Sequence, residues 1–307
     1  MRPSLRLVSA LLLLAFAVPT TQAQVSLTSL GVAKTENFDT LANTGTPAWT
    51  DNSTLAGWYS VRTTYTPGTG SSNTGAQYSF GAAGSTERAL GSVGSGGTGT
   101  IHYAVRLVNN TGGNIDSLTI AYNGEQWRDG GNATPVAQPL AFEYQVAAAG
   151  TITDANTPSS GWVSAAFGYN SPKFTTTAGA LNGNDPANRV AVSGTLTFPV
   201  AVSDGQEIWL RWVDVNDSGN DHGLAIDDFS VTPNGGGGPV TPNLSINDVT
   251  LAEGNAGTTA FGFTVTLTGS VQGGFTLPAA VAAGRLRGDL YARLSGWPIA
   301  IPALAER

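Results

Sequence analysis

The sequence predicts an all-β chain, an antiparallel β-sandwich of the jelly-roll type followed by a short second β unit. Three observations predict it. Between residues 24 and 233, apolar and polar side chains alternate in run after run, the period of strands that keep one face in a core. Each run stops at a cluster of Gly, Asn or Pro, the residues that turns require, and Gly alone supplies 40 of 307 positions. No segment holds a helical period long enough for the crossover of a βαβ unit, which excludes a parallel α/β sheet.

The chain opens with a different grammar. Arg2 and Arg6 precede an apolar run from Leu7 to Val18, and small residues at Thr21 and Ala23 flank Gln22. This pattern predicts a secretory signal over residues 1–23, cleaved after Ala23. The run is shorter than the ~20 residues a membrane-spanning helix needs. An exported protein, free of the membrane once the signal is cut, is the expectation.

Residues 24–233 then read as the sandwich. In 101–109, Ile101, Tyr103, Val105 and Leu107 share one face, and His102, Ala104 and Arg106 share the other. Leu118, Ile120 and Tyr122 repeat the pattern. In 139–146, Leu140, Phe142, Tyr144 and Val146 turn inward while Glu143 and Gln145 turn outward. Further strands are expected over 161–169, 189–200, 207–214 and 223–232. Eight or more such runs separated by turns fit a jelly roll. Residues 234–242 are a Gly/Pro linker. Residues 243–278 hold two more strands, 244–251 and 259–267, joined by a turn at Glu253, Gly254 and Asn255; two strands are too few for a stable domain. From 279 to 307 the alternation stops, and four arginines fall in 29 residues where the preceding 255 hold eight basic side chains. This tail is either an aberrant, frameshifted or disordered end that cuts a second domain short, or a natural short tail.

Charge and cysteine content narrow the function. The formal net charge is −7, and residues 24–278 carry 19 acidic and 8 basic side chains, a net of −11. Nucleic-acid backbones need clustered Lys and Arg, so binding to nucleic acid is not expected; a cation suits the balance better. With no cysteine there is no disulfide framework, thiolate metal site or cysteine nucleophile.

The densest chemistry lies between residues 211 and 233. Asp214, Asn216, Asp217, Asn220 and Asp221 offer the oxygen ligands that Ca²⁺ takes, with Asp227 or Asp228 available from the following strand. An EF-hand is excluded, because Ala225 stands where its bidentate glutamate belongs. The same Asp and Asn residues equally suit a turn that hydrogen-bonds to itself. Asp227 and Asp228 are adjacent and so point to opposite faces of a strand, the outward one solvated or paired with Arg211 or Arg128. Glu125, Trp127 and Arg128 are candidates for a ligand groove. Alternation puts Glu125 and Trp127 together with Arg128 opposite, and the alternative is Trp127 in the core with Glu125 as its structural partner. Sugar-binding sandwiches use exposed aromatic faces, for which Trp49, Trp58, Trp127, Trp162, Trp209 and Trp212 are available. Catalysis has little support. There are two histidines and no Gly-x-Ser-x-Gly elbow, and Gly94-x-Gly96-x-x-Gly99 leads into a strand rather than a helix.

Two family resemblances accompany these readings. Phe38-Asp39-Thr40-Leu41, Tyr78-Ser79-Phe80-Gly81, Glu87-Arg88-Ala89-Leu90-Gly91, Gly124-Glu125-Gln126-Trp127-Arg128, Leu210-Arg211-Trp212-Val213-Asp214 and Gly223-Leu224-Ala225-Ile226-Asp227-Asp228-Phe229 together resemble a bacterial secreted jelly-roll domain. That domain stands at the N-terminus of multidomain extracellular proteins, some of them linked to nuclease or phosphoesterase domains. Asn247-Asp248-Val249, Leu251-Ala252-Glu253-Gly254-Asn255 and Phe261-Gly262-Phe263-Thr264-Val265-Thr266-Leu267 resemble the first two strands of a Calx-beta domain, an Ig-like fold. That resemblance implies Glu253 as a Ca²⁺ ligand. The expectation is a secreted, noncatalytic module for adhesion, surface display or substrate targeting, stabilised by Ca²⁺, with a polysaccharide or cell-surface component as partner. The alternatives are the N-terminal part of a secreted nuclease or phosphoesterase without its catalytic domain, and a carbohydrate-binding module.

Overall fold

A computed structural model of the chain describes residues 24–235, 243–248, 250 and 264–268. The expected signal, most of the linker, Glu253 and the tail 279–307 lie outside the described residues. In chain order the strands are β1 (Val25–Leu27), β2 (Lys34–Glu36), β3 (Trp58–Ser60), β4 (Thr66–Gly68), β5 (Ala76–Phe80), β6 (Ala89–Val93), β7 (Ile101–Asn109), β8 (Ile115–Asp129) and β9 (Pro139–Ala147). There follow β10 (Val163–Ser164), β11 (Tyr169–Asn170), β12 (Gly179–Ala180), a 3₁₀ turn at Pro186–Asn188, β13 (Arg189–Val202), β14 (Glu207–Asp214) and β15 (Gly223–Asn234). β16 (Asn243–Ile246) and β17 (Val265–Thr268) form a separate antiparallel pair in the second unit.

Two sheets make the sandwich. The seven-stranded sheet runs β1-β7-β14-β9-β10, with β3 also on β7 and β11 also on β9. The eight-stranded sheet runs β12-β8-β15-β6-β5-β4, with β13 also on β8 and β2 also on β15. Pairing is antiparallel except for β1 with β7 and β4 with β5. The inward faces are those the alternation predicts. Ile101, Tyr103, Val105 and Leu107 meet Leu118, Ile120, Tyr122, Leu224 and Ile226 in one core. Trp212 sits at its centre, stacked on Trp58 and met edge-on by Tyr122, Phe142 and Phe229.

Each sheet also carries a smaller apolar cluster on its outward face. Tyr59, Ala104 and Trp209 of the seven-stranded sheet are covered by Ile152 and Ala155 of the loop after β9. On the eight-stranded sheet Tyr78, Phe80 and Trp127 lie in a parallel stack. Gly183 packs so closely on the Trp127 indole that an added Cβ would lie 2.3 Å from Nε1, so the loop after β12 covers this stack.

Three local expectations change. Residues 161–169 are two short strands rather than one, because the Phe167 N–H closes on Ala165 O (2.8 Å) in a tight turn that interrupts the ladder. Strict alternation in β8 ends near Trp127, where the register with β15 slips between Gly223 and Leu224. Trp127 is skipped by the ladder while Arg128 pairs with Gly223 and Ala180, so alternation across Trp127 does not set Arg128 opposite to it. At Asp227 and Asp228 the separation arises from a second register shift, with Asp228 at φ 51.

Candidate functional site

The loop between β14 and β15 closes on itself. Asp214 ends the inward face of β14 and is buried, with Oδ2 accepting from Ser92 Oγ at 2.6 Å. Burial, then Asp221 and Asp217, push its carboxyl up to about 7. Asp221 Oδ1 accepts from the Asp217 N–H (2.7 Å), while Asn216 is exposed. Asn220 and Asn132 hold each other through main-chain and side-chain bonds of 2.6 and 3.0 Å. Gln138 bridges Asn220 O and the His222 N–H, and His222 Nδ1 accepts from the Gly130 N–H at 2.8 Å. One local bond, from the Asp217 N–H to Asp221, and cross-loop bonds to Asn132, Gln138 and Gly130 thus hold this turn.

Asp227 and Asp228 stand apart from that loop. Asp228 is exposed and accepts from Asn123 Nδ2 (2.9 Å); neither Arg128 nor Arg211 pairs with it. Asp227 turns instead toward Glu125 and toward Glu87, which immediately precedes Arg88 and β6. Among the described residues these three form the one group of potential metal ligands whose ligating atoms all lie within 4.8 Å of one another. Glu125 is 0% exposed and receives the Trp127 indole N–H at 2.9 Å, so it is the structural partner of a core tryptophan. Arg189, its register partner on β13, donates Nε (3.0 Å) and Nη2 (2.5 Å) to Glu125 Oε1 and lies 3.7 Å from Asp227 Oδ2. Arg128 joins neither carboxylate and donates to the carbonyls of Gly70 and Ser71. Burial raises Glu125 against the pull of Arg189; burial and then Glu125 push Asp227 up to about 8. Of the sequence candidates, Asp227 and Glu125 come together, and Asp214, Asp217 and Asp221 stay in the other loop. Glu87 and Arg189 had no local signal, since each meets the cluster only across strands.

A third locus lies on the outward face of the seven-stranded sheet. Trp49, Trp58, Trp127, Trp209 and Trp212 are buried, and Trp162 alone among the described tryptophans is partly open. Its indole N–H donates to Pro158 O (2.8 Å), and the Arg211 guanidinium carbon lies 3.9 Å from its ring centroid. Arg211 is fixed in turn, giving Nε and Nη2 to Glu143 Oε2 (2.8 and 2.6 Å) and Nη1 to Ala155 O and Asn156 Oδ1 (3.1 Å each). Gly161, at φ 90, brings the loop so close to Gln145 that an added Cβ would lie 2.7 Å from its Nε2. Gln145 Oε1 is buried and accepts no hydrogen bond. His102, half-buried beside this group, is held down to about 4 by burial and by the Arg211 charge. Alternation had already turned Glu143 and Gln145 outward; their convergence on Trp162 had no sequence signal. Elsewhere, a cavity of about 360 Å³ opens between β1 and β2, floored by Trp58, Val105 and Phe229 and edged by Ser26, Lys34 and Glu36.

No protein-family model and no curated protein sequence matches the chain. Among solved structures it is similar to the CBM22-1 xylan-binding domain of Paenibacillus barcinonensis Xyn10C, at 10% identity and a TM-score of 0.30, over 67% of this chain and 96% of that one. It is also similar to a non-crystalline-cellulose-specific carbohydrate-binding module, CBM28 (12% identity, TM-score 0.29, 58% and 87% of the two chains). A third is an arabinose-bound GH51 α-L-arabinofuranosidase (13% identity, TM-score 0.33, 69% and 30%). At these TM-scores the likenesses carry no weight for this chain, whose sandwich is seen directly.

Proposed function

We propose that the chain is an exported, noncatalytic recognition module that binds a polysaccharide through the outward face of its seven-stranded sheet, serving adhesion, surface display or substrate targeting. The observation that carries this reading is Trp162, partly open where the five other described tryptophans are buried, and held still by Arg211 and Pro158. A sugar ring offers an apolar face of C–H groups and an edge of hydroxyls. The first suits an immobile indole, and the second suits the carboxylate, amide and guanidinium of Glu143, Gln145, Asn156 and Arg211 beside it. Because Arg211 already holds Glu143, Asn156 and Trp162, little conformational freedom of these side chains is lost on binding. Catalysis is disfavoured by geometry: the clustered carboxylates Glu125 and Asp227 are buried away from the surface, and Glu125 is bonded by Arg189.

Affinity electrophoresis and calorimetry of the full chain against a polysaccharide panel test this. Xylan and amorphous cellulose are included in the panel. Trp162→Ala is expected to abolish retardation and cost about 2 kcal/mol of affinity or more, the size of an interface anchor. Absence of binding to every member overturns the reading, and binding that survives Trp162→Ala removes the site from this face.

A further inference from the structure

We propose that Glu87, Glu125 and Asp227 hold a hard divalent cation, Ca²⁺, on the outward face of the eight-stranded sheet. The site is independent of the Trp162 face. Its three carboxylates come from three elements that the sheet brings together: β8, β15 and the turn into β6. Their ligating oxygens lie within 4.8 Å of one another, the spacing of donors around an ion with bonds of about 2.3–2.6 Å. All the donors are oxygen, with neither imidazole nor thiolate, which selects a hard cation over zinc.

Unsatisfied groups point to an occupant. Glu87 Oε2 accepts from Asn184 Nδ2, but its Oε1 is buried and accepts nothing. The Asp227 side chain is 5% exposed; its Oδ1 takes the Asp228 N–H, and its Oδ2 has no hydrogen bond, only Arg189 at 3.7 Å. Buried oxygens without donors are costly, and a cation satisfies several at once. Arg189 is the one guanidinium bonded to the cluster, and its donors go to Glu125 and Asn184. One positive charge thus faces three carboxylates, with Asp228 adding a fourth acidic group just outside.

The test uses the full chain stripped with chelator. Trp127, whose indole N–H bonds Glu125, is placed to sensitise Tb³⁺ luminescence, and Ca²⁺ should quench that signal by displacement and raise the melting temperature. Glu87→Gln and Asp227→Asn should each weaken Ca²⁺ about tenfold or more. Glu87→Gln keeps the side-chain shape at a partly exposed position, so it serves as the variant that folds. The double variant Asp217→Asn/Asp221→Asn and the single variant Glu253→Gln should bind as wild type. Absence of any Ca²⁺-dependent signal overturns the proposal, as does binding that survives Glu87→Gln or is lost in the Asp217/Asp221 or Glu253 variants. Because Trp162→Ala should leave Ca²⁺ binding intact, this proposal and the polysaccharide reading fail separately.

Discussion

Asp214 places a carboxyl group between two sheets with a single hydroxyl, Ser92, to serve it. Its folded carboxyl titrates at about 7, above the unfolded value of 3.8, so the native state holds a proton that the unfolded chain releases. The contribution is therefore intact below pH 4 and is lost as pH rises from 4 to 7. His102 has the opposite sign: held down to about 4, it costs stability as pH falls through 6.5. The difference between wild type and Asp214→Asn isolates the first effect. Asparagine still accepts from Ser92, so the variant should gain on the order of 2 kcal/mol at pH 8 and nothing at pH 4, read from thermal melts across that range. A variant less stable than wild type at pH 8 would show that the ionised carboxylate is wanted. At this scale the sequence was informative about partners close along one strand, such as Glu125 and Trp127. It was silent on Ser92 with Asp214 and on Arg189 with Glu125, which meet only across strands.

The strand that organises both faces of its sheet is β8. On its inward side, Gly124 leaves room for Tyr169, whose hydroxyl reaches Glu125 O (2.9 Å) and Ala225 O (2.7 Å) and accepts the Ala225 N–H (3.0 Å). A Cβ at residue 124 would lie 2.5 Å from the ring. Gly124→Ala should therefore cost about 2–3 kcal/mol in urea unfolding, since the ring is pinned at its hydroxyl and cannot retreat. Glu125 should move with it and weaken Ca²⁺. An unchanged midpoint would mean that β8 shifts freely. The 15-residue length of β8 was only partly legible: alternation over 115–122 announced it, while the slip near Trp127 and the shift after Asp227 depend on facing strands.

For the whole molecule, pairing is mostly between strands distant along the chain: β1 with β7, β2 with β15, β7 with β14. Closing such loops precedes the contacts that reward them, so the sandwich should fold in about milliseconds to seconds. Stopped-flow tryptophan emission checks this, because Trp212 of the seven-stranded sheet meets Tyr122 and Phe229 of the eight-stranded sheet only once both are assembled. Recovery within microseconds would contradict the topology.

By itself the sequence determined the fold class and the inward faces of β7, of the first half of β8 and of β9. Those properties follow from side-chain periodicity, which is local and survives without knowledge of neighbours. Tertiary structure alone decided which charges meet. Glu87, Glu125 and Asp227 converge, Asp214 meets Ser92 while Asp221 bonds within its own turn, and Trp162 is left partly open while five other described tryptophans are covered. Each of these outcomes depends on register between strands far apart in the chain, where one residue of slip sends every side chain to the other face.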